Sequence, residues 1–147
     1  MFIVGLLSCF LLGLLTGWWL FTDSKPRSLI KLRKRGHTTS RDELLGILAS
    51  VGVQKMPHLI PGIILETDKT IVFKHPRPKY RIHYIFAPKK DIRDIGDISP
   101  DDRQYLFDLF AAIDTVINQE KLYNYKLWTN GPGKQDVTYL HFHLGAK

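Results

Sequence analysis

Two histidines stand one residue apart near the end of the sequence, in the stretch Thr138-Tyr-Leu-His-Phe-His-Leu-Gly-Ala-Lys147. A strand alternates its faces with period 2, so Tyr139, His141 and His143 share one face and Leu140, Phe142 and Leu144 the other. Burial of the aliphatic face aims the imidazoles into a common space. Imidazoles placed this way have three uses. They chelate zinc or iron, they act as nucleophile or general acid–base, or one is structural and its neighbour incidental. The preceding residues, "WTNGPGKQDV", weigh toward phosphate, because glycines let backbone N–H groups approach an anion closely and form an anion-binding nest. Gly131-Pro132-Gly133 also suits an ordinary hairpin turn. A third histidine, His83, lies in the run "YRIHYIFAPKK", where Arg81, His83 and Ile85 oppose Ile82, Tyr84 and Phe86. Its plain alternative is a satisfied core histidine.

These residues need elements to hold them. Ser40-Arg-Asp-Glu43 has capping-box spacing before Leu44, Leu45, Ile47, Leu48 and Val51, with Gly52 as a stop. "GIILETDKTIVFKH" reads as a hairpin turning at residues 67–69, and "YRIHYIFAPKK" as a third strand. The spacing predicts a long helix over residues 100–120, with Ser99 as N-cap, Pro100 in the first helical position, and Asp101 and Asp102 at the positive dipole end. Leu106, Leu109, Phe110, Ile113, Val116 and Ile117 form its apolar stripe. "YNYKLWTN" reads as a strand and "VTYLHFHL" as the last one. The sum is an α+β domain, an antiparallel sheet of about five strands with one long helix on it.

The first 21 residues carry no charge. A run of about 20 apolar residues spans a hydrocarbon core of roughly 30 Å, and Trp18 and Trp19 near its end suit the lipid–water boundary. A secretory signal peptide would want a positive n-region and a small-residue cleavage site, and neither is present. The expected organisation is therefore a transmembrane helix over residues 1–22, a basic tether over 23–38 and a globular domain over 39–147. The net charge of +7 sits in the tether: Lys25, Arg27, Lys31, Arg33, Lys34 and Arg35 belong to a segment without acids, and the remainder holds 15 basic against 14 acidic residues. Positive charge beside a span marks its cytoplasmic end and attracts anionic lipid. The expectation is a single-pass protein, N-terminus outside and domain in the cytoplasm, with no nucleic-acid partner. The one cysteine, Cys9, lies within the span, so no intrachain disulfide or cysteine-based zinc site is possible.

In this order the elements resemble the histidine triad (HIT) superfamily, and most of all its nucleoside phosphoramidate hydrolase branch, over residues 61–144. "HYIFAPKK" looks like the family's His-aromatic-x-x-x-Pro-Lys-Lys strand, Asn130-Gly131 falls at its nucleotide-loop asparagine, and Gln135-x-Val137 precedes the triad strand. The resemblance implies a hydrolase or nucleotidyltransferase acting at a nucleotide α-phosphate, without a cofactor. It implies His141 as nucleophile, His143 and His83 as supporting catalytic histidines, and Asn130 with the backbone of Gly133, Lys134 and Gln135 as phosphate holders. Asp136, Tyr139 and His75 complete the substrate-binding set, and Ile64, Phe73 and Ile85 fall at the base pocket. A homodimer is also implied.

Three positions depart from the family pattern. Tyr139 replaces the first triad histidine; its hydroxyl still hydrogen-bonds but never becomes a cation near neutral pH. Asp136 replaces a phosphate-touching serine and would repel phosphate. His75 replaces a ribose-binding aspartate. The loop after Asn130 is shorter than usual, and the sequence stops at Lys147, short of a C-terminal extension that shapes the pocket in related dimers. Two other functions therefore stand beside the hydrolase: a catalytically inactive nucleotide-binding or scaffolding module at the membrane, and a metal site built on His141, His143 and His83 or His75.

Overall fold

The computed structural model describes residues 2–27 and 40–147. Lys31, Arg33, Lys34 and Arg35 of the basic tether lie outside the described residues, as does the side chain of Ser40 on which the capping box rests. The first helix, α1 (Phe2–Phe21), is 20 residues long. Its window Val4–Phe21 has a mean hydropathy of 1.9 and none of it is buried, so it is long and apolar enough to cross a membrane; a signal sequence has the same properties.

The remainder is α+β. Helix α2 (Ser40–Lys55) precedes the hairpin β1 (Ile63–Glu66) and β2 (Thr70–Lys74), then β3 (Ile82–Pro88), α3 (Arg103–Gln119), β4 (Tyr125–Thr129) and β5 (Phe142–Ala146). The five strands form one sheet in the order β1-β2-β3-β5-β4, antiparallel at every pairing. Helix α2 continues three residues past Gly52, so that glycine does not stop it.

Each face of the sheet has its own core. On one, Val72, Ile82, Tyr84, Phe86, Phe142 and Leu144 meet Leu109, Ile113 and Val116 of α3. The alternation expected of β3 and the apolar stripe expected of α3 are both used here. Complete burial of Phe86, Leu109 and Val116 stabilises by roughly 1.5–3 kcal/mol each. A 3-10 turn, Pro100–Asp102, leads into α3. There the backbone N–H and hydroxyl of Ser99 donate to Asp102 Oδ2 at 2.7 and 2.8 Å, and Lys90 Nζ lies 2.5 Å from Oδ1.

On the opposite face α2 covers a smaller cluster. Val53 of the helix packs with Ile71, Ala87 and Tyr139, joined by Ile63 and Phe73. The last strand is shorter than its alternation suggested. Tyr139 N–H donates to Val137 O and Leu140 N–H to Ile92 O, so the chain joins the ladder only at Phe142.

Replacing Asp102 removes both the cap and the Lys90 partner at the start of the core helix. Asp102→Ala is expected to lower unfolding stability by about 1–2 kcal/mol, read from the midpoint of a urea titration. An unchanged midpoint would show that α3 does not depend on this cap.

Candidate active site

Strand register brings the histidines together. His143 pairs with Ile85 on one side and Trp128 on the other, and His83 pairs with Gly145. Cross-strand partners share a face, so Phe73, Ile85, His143 and Trp128 form one row across the sheet, with His83 beside it. Gly145 is required by its neighbour: a Cβ there would lie 2.7 Å from the ring of Tyr80. Tyr80 in turn sets its ring edge-on to His83, with centroids 5.5 Å apart.

The imidazoles form one contiguous cluster. His75 stacks on His83 at 4.1 Å and 7°, and His83 lies 5.4 Å from His143. His143 is 4.8 Å from His141, and Trp128 stacks on it at 5.0 Å and 12°. Trp128 was not singled out from sequence; its signal lies in the β4–β5 register, which places it opposite His143.

Hydrogen bonds assign the protons. His141 Nδ1 lies 2.7 Å from the carbonyl oxygen of Tyr139. A carbonyl only accepts, so Nδ1 carries the hydrogen and Nε2 keeps its lone pair. His75 and His83 have the opposite tautomer. Arg77 N–H donates to His75 Nδ1 at 3.0 Å and Lys79 N–H to His83 Nδ1 at 3.2 Å, so each neutral ring bears its hydrogen on Nε2. His83 Nε2 and His143 Nδ1 are buried without a partner among the described residues.

The cluster is neutral near pH 7. Burial lowers the pKa of all four imidazoles below the usual 6.5. For His143 burial acts first, the neighbouring imidazoles and Lys79 add to it, and the value falls to about 3. For His141 burial also dominates; the Tyr139 carbonyl and Asp136 oppose it.

One nitrogen from each of His75, His83 and His143 lies within 4.8 Å of the others, close enough for a metal ion. The tautomers do not suit one. In His75 and His83 a backbone N–H occupies the Nδ1 lone pair, and Nε2 carries hydrogen, so neither ring offers a lone pair without breaking a backbone bond. These rings present N–H groups, which fit an anion.

Several residues read from the sequence sit differently. The Tyr139 phenol is buried under α2 and donates to Pro88 O at 2.5 Å, away from the imidazoles. Gln135 is buried and its amide donates to Arg93 O at 3.2 Å, and Lys134 N–H closes a turn on Gly131 O at 2.9 Å. The Lys134 N–H is therefore not free for phosphate as arranged. Ile64 packs into the α3 core; a bulge between Ile63 and Leu65 shifts the register, so Ile63 is the β1 residue on the histidine face. Phe73 and Ile85 lie on the expected face. Asn130 is half-buried and follows Thr129, whose hydroxyl donates to His141 O at 2.7 Å. Gly133 is exposed. Asp136 is exposed too, and its charge raises proton affinity at both His75 and His141, which puts it on the imidazole side.

Known proteins share this fold. The family described as "Scavenger mRNA decapping enzyme C-term binding" matches residues 55–147. A Helicobacter pylori protein described as an uncharacterized HIT-like protein is 35% identical over 85 residues, covering 55% of this chain and 79% of that one. A HIT family hydrolase from Legionella pneumophila superposes with a TM-score of 0.58 at 27% identity, over 64% of this chain and 88% of that one. A histidine triad nucleotide-binding protein from Candida albicans superposes with a TM-score of 0.53 at 25% identity, over 64% and 71%.

The neutral cluster predicts acid sensitivity. His143 has an ordinary pKa of 6.5 unfolded and about 3 folded. Between those values the unfolded chain binds the extra proton, so stability falls as pH drops below 6.5. The loss of melting temperature between pH 7 and pH 4.5 is expected to be smaller in His143→Asn than in the natural chain. Equal losses would show that His143 is not held neutral.

Proposed function

We propose that this chain, which belongs to the histidine triad superfamily, is a membrane-anchored nucleotide hydrolase or nucleotidyltransferase that works through His141. The observation that carries the reading is the Tyr139 carbonyl held at His141 Nδ1, which leaves Nε2 as a neutral nucleophile amid neutral imidazoles.

His141 Nε2 attacks the α-phosphorus of a nucleotide phosphoramidate or phosphoanhydride. An N–P bond forms, the bond to the amine or phosphate leaving group breaks with its electron pair, and the leaving group takes a proton. Water then attacks phosphorus, the N–P bond breaks, and a nucleoside monophosphate leaves with the nucleophile regenerated. The Nε2–H groups of His83 and His75 supply hydrogen bonds to phosphate oxygens, and His143 lies between them and the nucleophile. Asn130 directly follows Thr129, whose hydroxyl donates to the His141 carbonyl, and is assigned to the phosphate, while Phe73, Ile85 and Ile63 offer the base an apolar wall. Helix α1 serves as the anchor, with its N-terminus outside and the domain in the cytoplasm, and the basic run of the sequence that holds Lys31, Arg33, Lys34 and Arg35 attracts anionic lipid.

Asp136 favours a second reading, a nucleotide-binding module without turnover, because its carboxylate shares the imidazole side with any bound phosphate. In that case a nucleotide raises the melting temperature by linkage while no product forms.

The full chain in detergent is expected to release AMP from adenosine 5′-phosphoramidate, and His141→Ala to lose at least ~10³-fold in rate. Binding without AMP release would establish the second reading. Because His141 must be neutral to attack, the acid limb of kcat/KM should fall below pH 6.5. Asp136→Ser should move that limb further down and lower KM, since the carboxylate both raises the His141 pKa and repels phosphate. An unmoved limb with unchanged KM would mean that Asp136 takes no part.

A further inference from the structure

The residues after α1 are not a free tether. Ser24 Oγ lies 2.9 Å from Ser50 Oγ on α2, Lys25 N–H donates to Asp91 Oδ2 at 2.8 Å, and Lys25 Nζ reaches Asp97 Oδ2 at 2.7 Å. Lys55 at the end of α2 pairs with Asp23. Arg27 Nη2 meets Asp91 Oδ1 at 2.5 Å, with side chains 0% and 1% exposed. Both carboxylate oxygens of Asp91 are thus engaged by this one short segment.

The seat for Arg27 is built into α2. Gly46 lies in the middle of that helix, where glycine is disfavoured. A Cβ there would come within 3.2 Å of Arg27 Cζ and 2.6 Å of Thr138 Oγ1, so α2 closes on the guanidinium and on Thr138 only because the side chain is missing. A buried pair of this kind is a poor source of stability, and Arg27 Nε and Nη1 find no acceptor among the described residues. Its effect is to fix position.

What it positions is the approach to the nucleophile. Asp91 precedes Ile92, whose carbonyl accepts from Leu140 N–H at 2.6 Å, and Arg93, whose carbonyl accepts from the Gln135 amide at 3.2 Å. Residues 91–93 therefore hold the stretch that carries the Tyr139 carbonyl. Asp91 and Arg27 both act electrostatically on the Tyr139 phenol, so the pair lies against that residue.

We infer that residues 23–27 are an intramolecular clamp which seats the apolar helix on the domain, and that Arg27 is a positioning residue acting through Asp91 on the segment presenting His141. Its kinetic consequence rests on the hydrolase reading; the clamp itself does not.

A protease site inserted within residues 28–39 of the full chain separates the two without altering either. After cleavage of the folded protein in detergent, the α1-bearing piece and the domain are expected to co-elute on size exclusion. They should separate when Arg27 is changed to Ala. Separation of the natural pair, or co-elution of the variant, overturns the clamp. In uncut Arg27→Ala, amide exchange over residues 138–141 should rise at least tenfold, and kcat should fall about 10- to 100-fold with KM unchanged. Methylguanidinium should restore both. Exchange equal to that of the natural chain overturns the positioning role. If the natural chain shows no turnover, the hydrolase reading fails, while co-elution and exchange still decide the inference. Should Arg27→Ala not fold, Gly46→Ala tests the same seat and should loosen the cut pair.

Discussion

The site depends on one hydrogen bond from an imidazole to a main-chain carbonyl. His141 has two nitrogens, and only a ring held with hydrogen on Nδ1 keeps a lone pair on Nε2. The carbonyl of Tyr139 enforces that tautomer through backbone, so the side chain at position 139 is free to serve elsewhere. This explains how a tyrosine occupies that position without disturbing the His141 tautomer. Its phenol ties Pro88 to the α2 cluster, and its carbonyl orients the histidine. The contrast with His75 and His83, whose Nδ1 atoms accept from main-chain N–H groups, divides the cluster into one ring with a bare Nε2 and two rings with hydrogen on Nε2.

Two unequal cores make that arrangement possible. The α3 side takes Val72 of β2 and the larger apolar residues of β3 and β5, and it forms the larger core. The α2 side buries a smaller cluster and leaves the remaining part of that face to the imidazoles and Trp128. Burial lowers the pKa of every ring there, and neighbouring rings lower those of His83 and His143 further, because a charge on one disfavours a charge on the next.

Period-2 alternation made much of this legible. It placed His83 opposite Tyr84 and His143 opposite Leu144 in facing direction, and the helical stripe from Leu106 to Ile117 located the main core. Alternation failed where the backbone leaves the ladder. The bulge after Ile63 moved Ile64 to the α3 side, whereas Tyr139 keeps the expected face and sends its hydroxyl to Pro88 O within the α2 cluster. Trp128 required knowledge of which β4 residue faces His143, and pairing partners are not written in either strand alone. Arg27 and Asp91 are 64 residues apart; as a sequence, Arg27 looks like one more cation in a basic run. Gly46 was the available hint, a glycine inside a helix that needed a reason.

The most direct test of the central claim is the tautomer of His141 in the folded chain, read from long-range proton–nitrogen correlations of its ring at pH 7. A hydrogen on Nδ1 and a bare Nε2 are predicted, with the reverse assignment for His83. Hydrogen on Nε2 of His141, or on both of its nitrogens, would contradict the account.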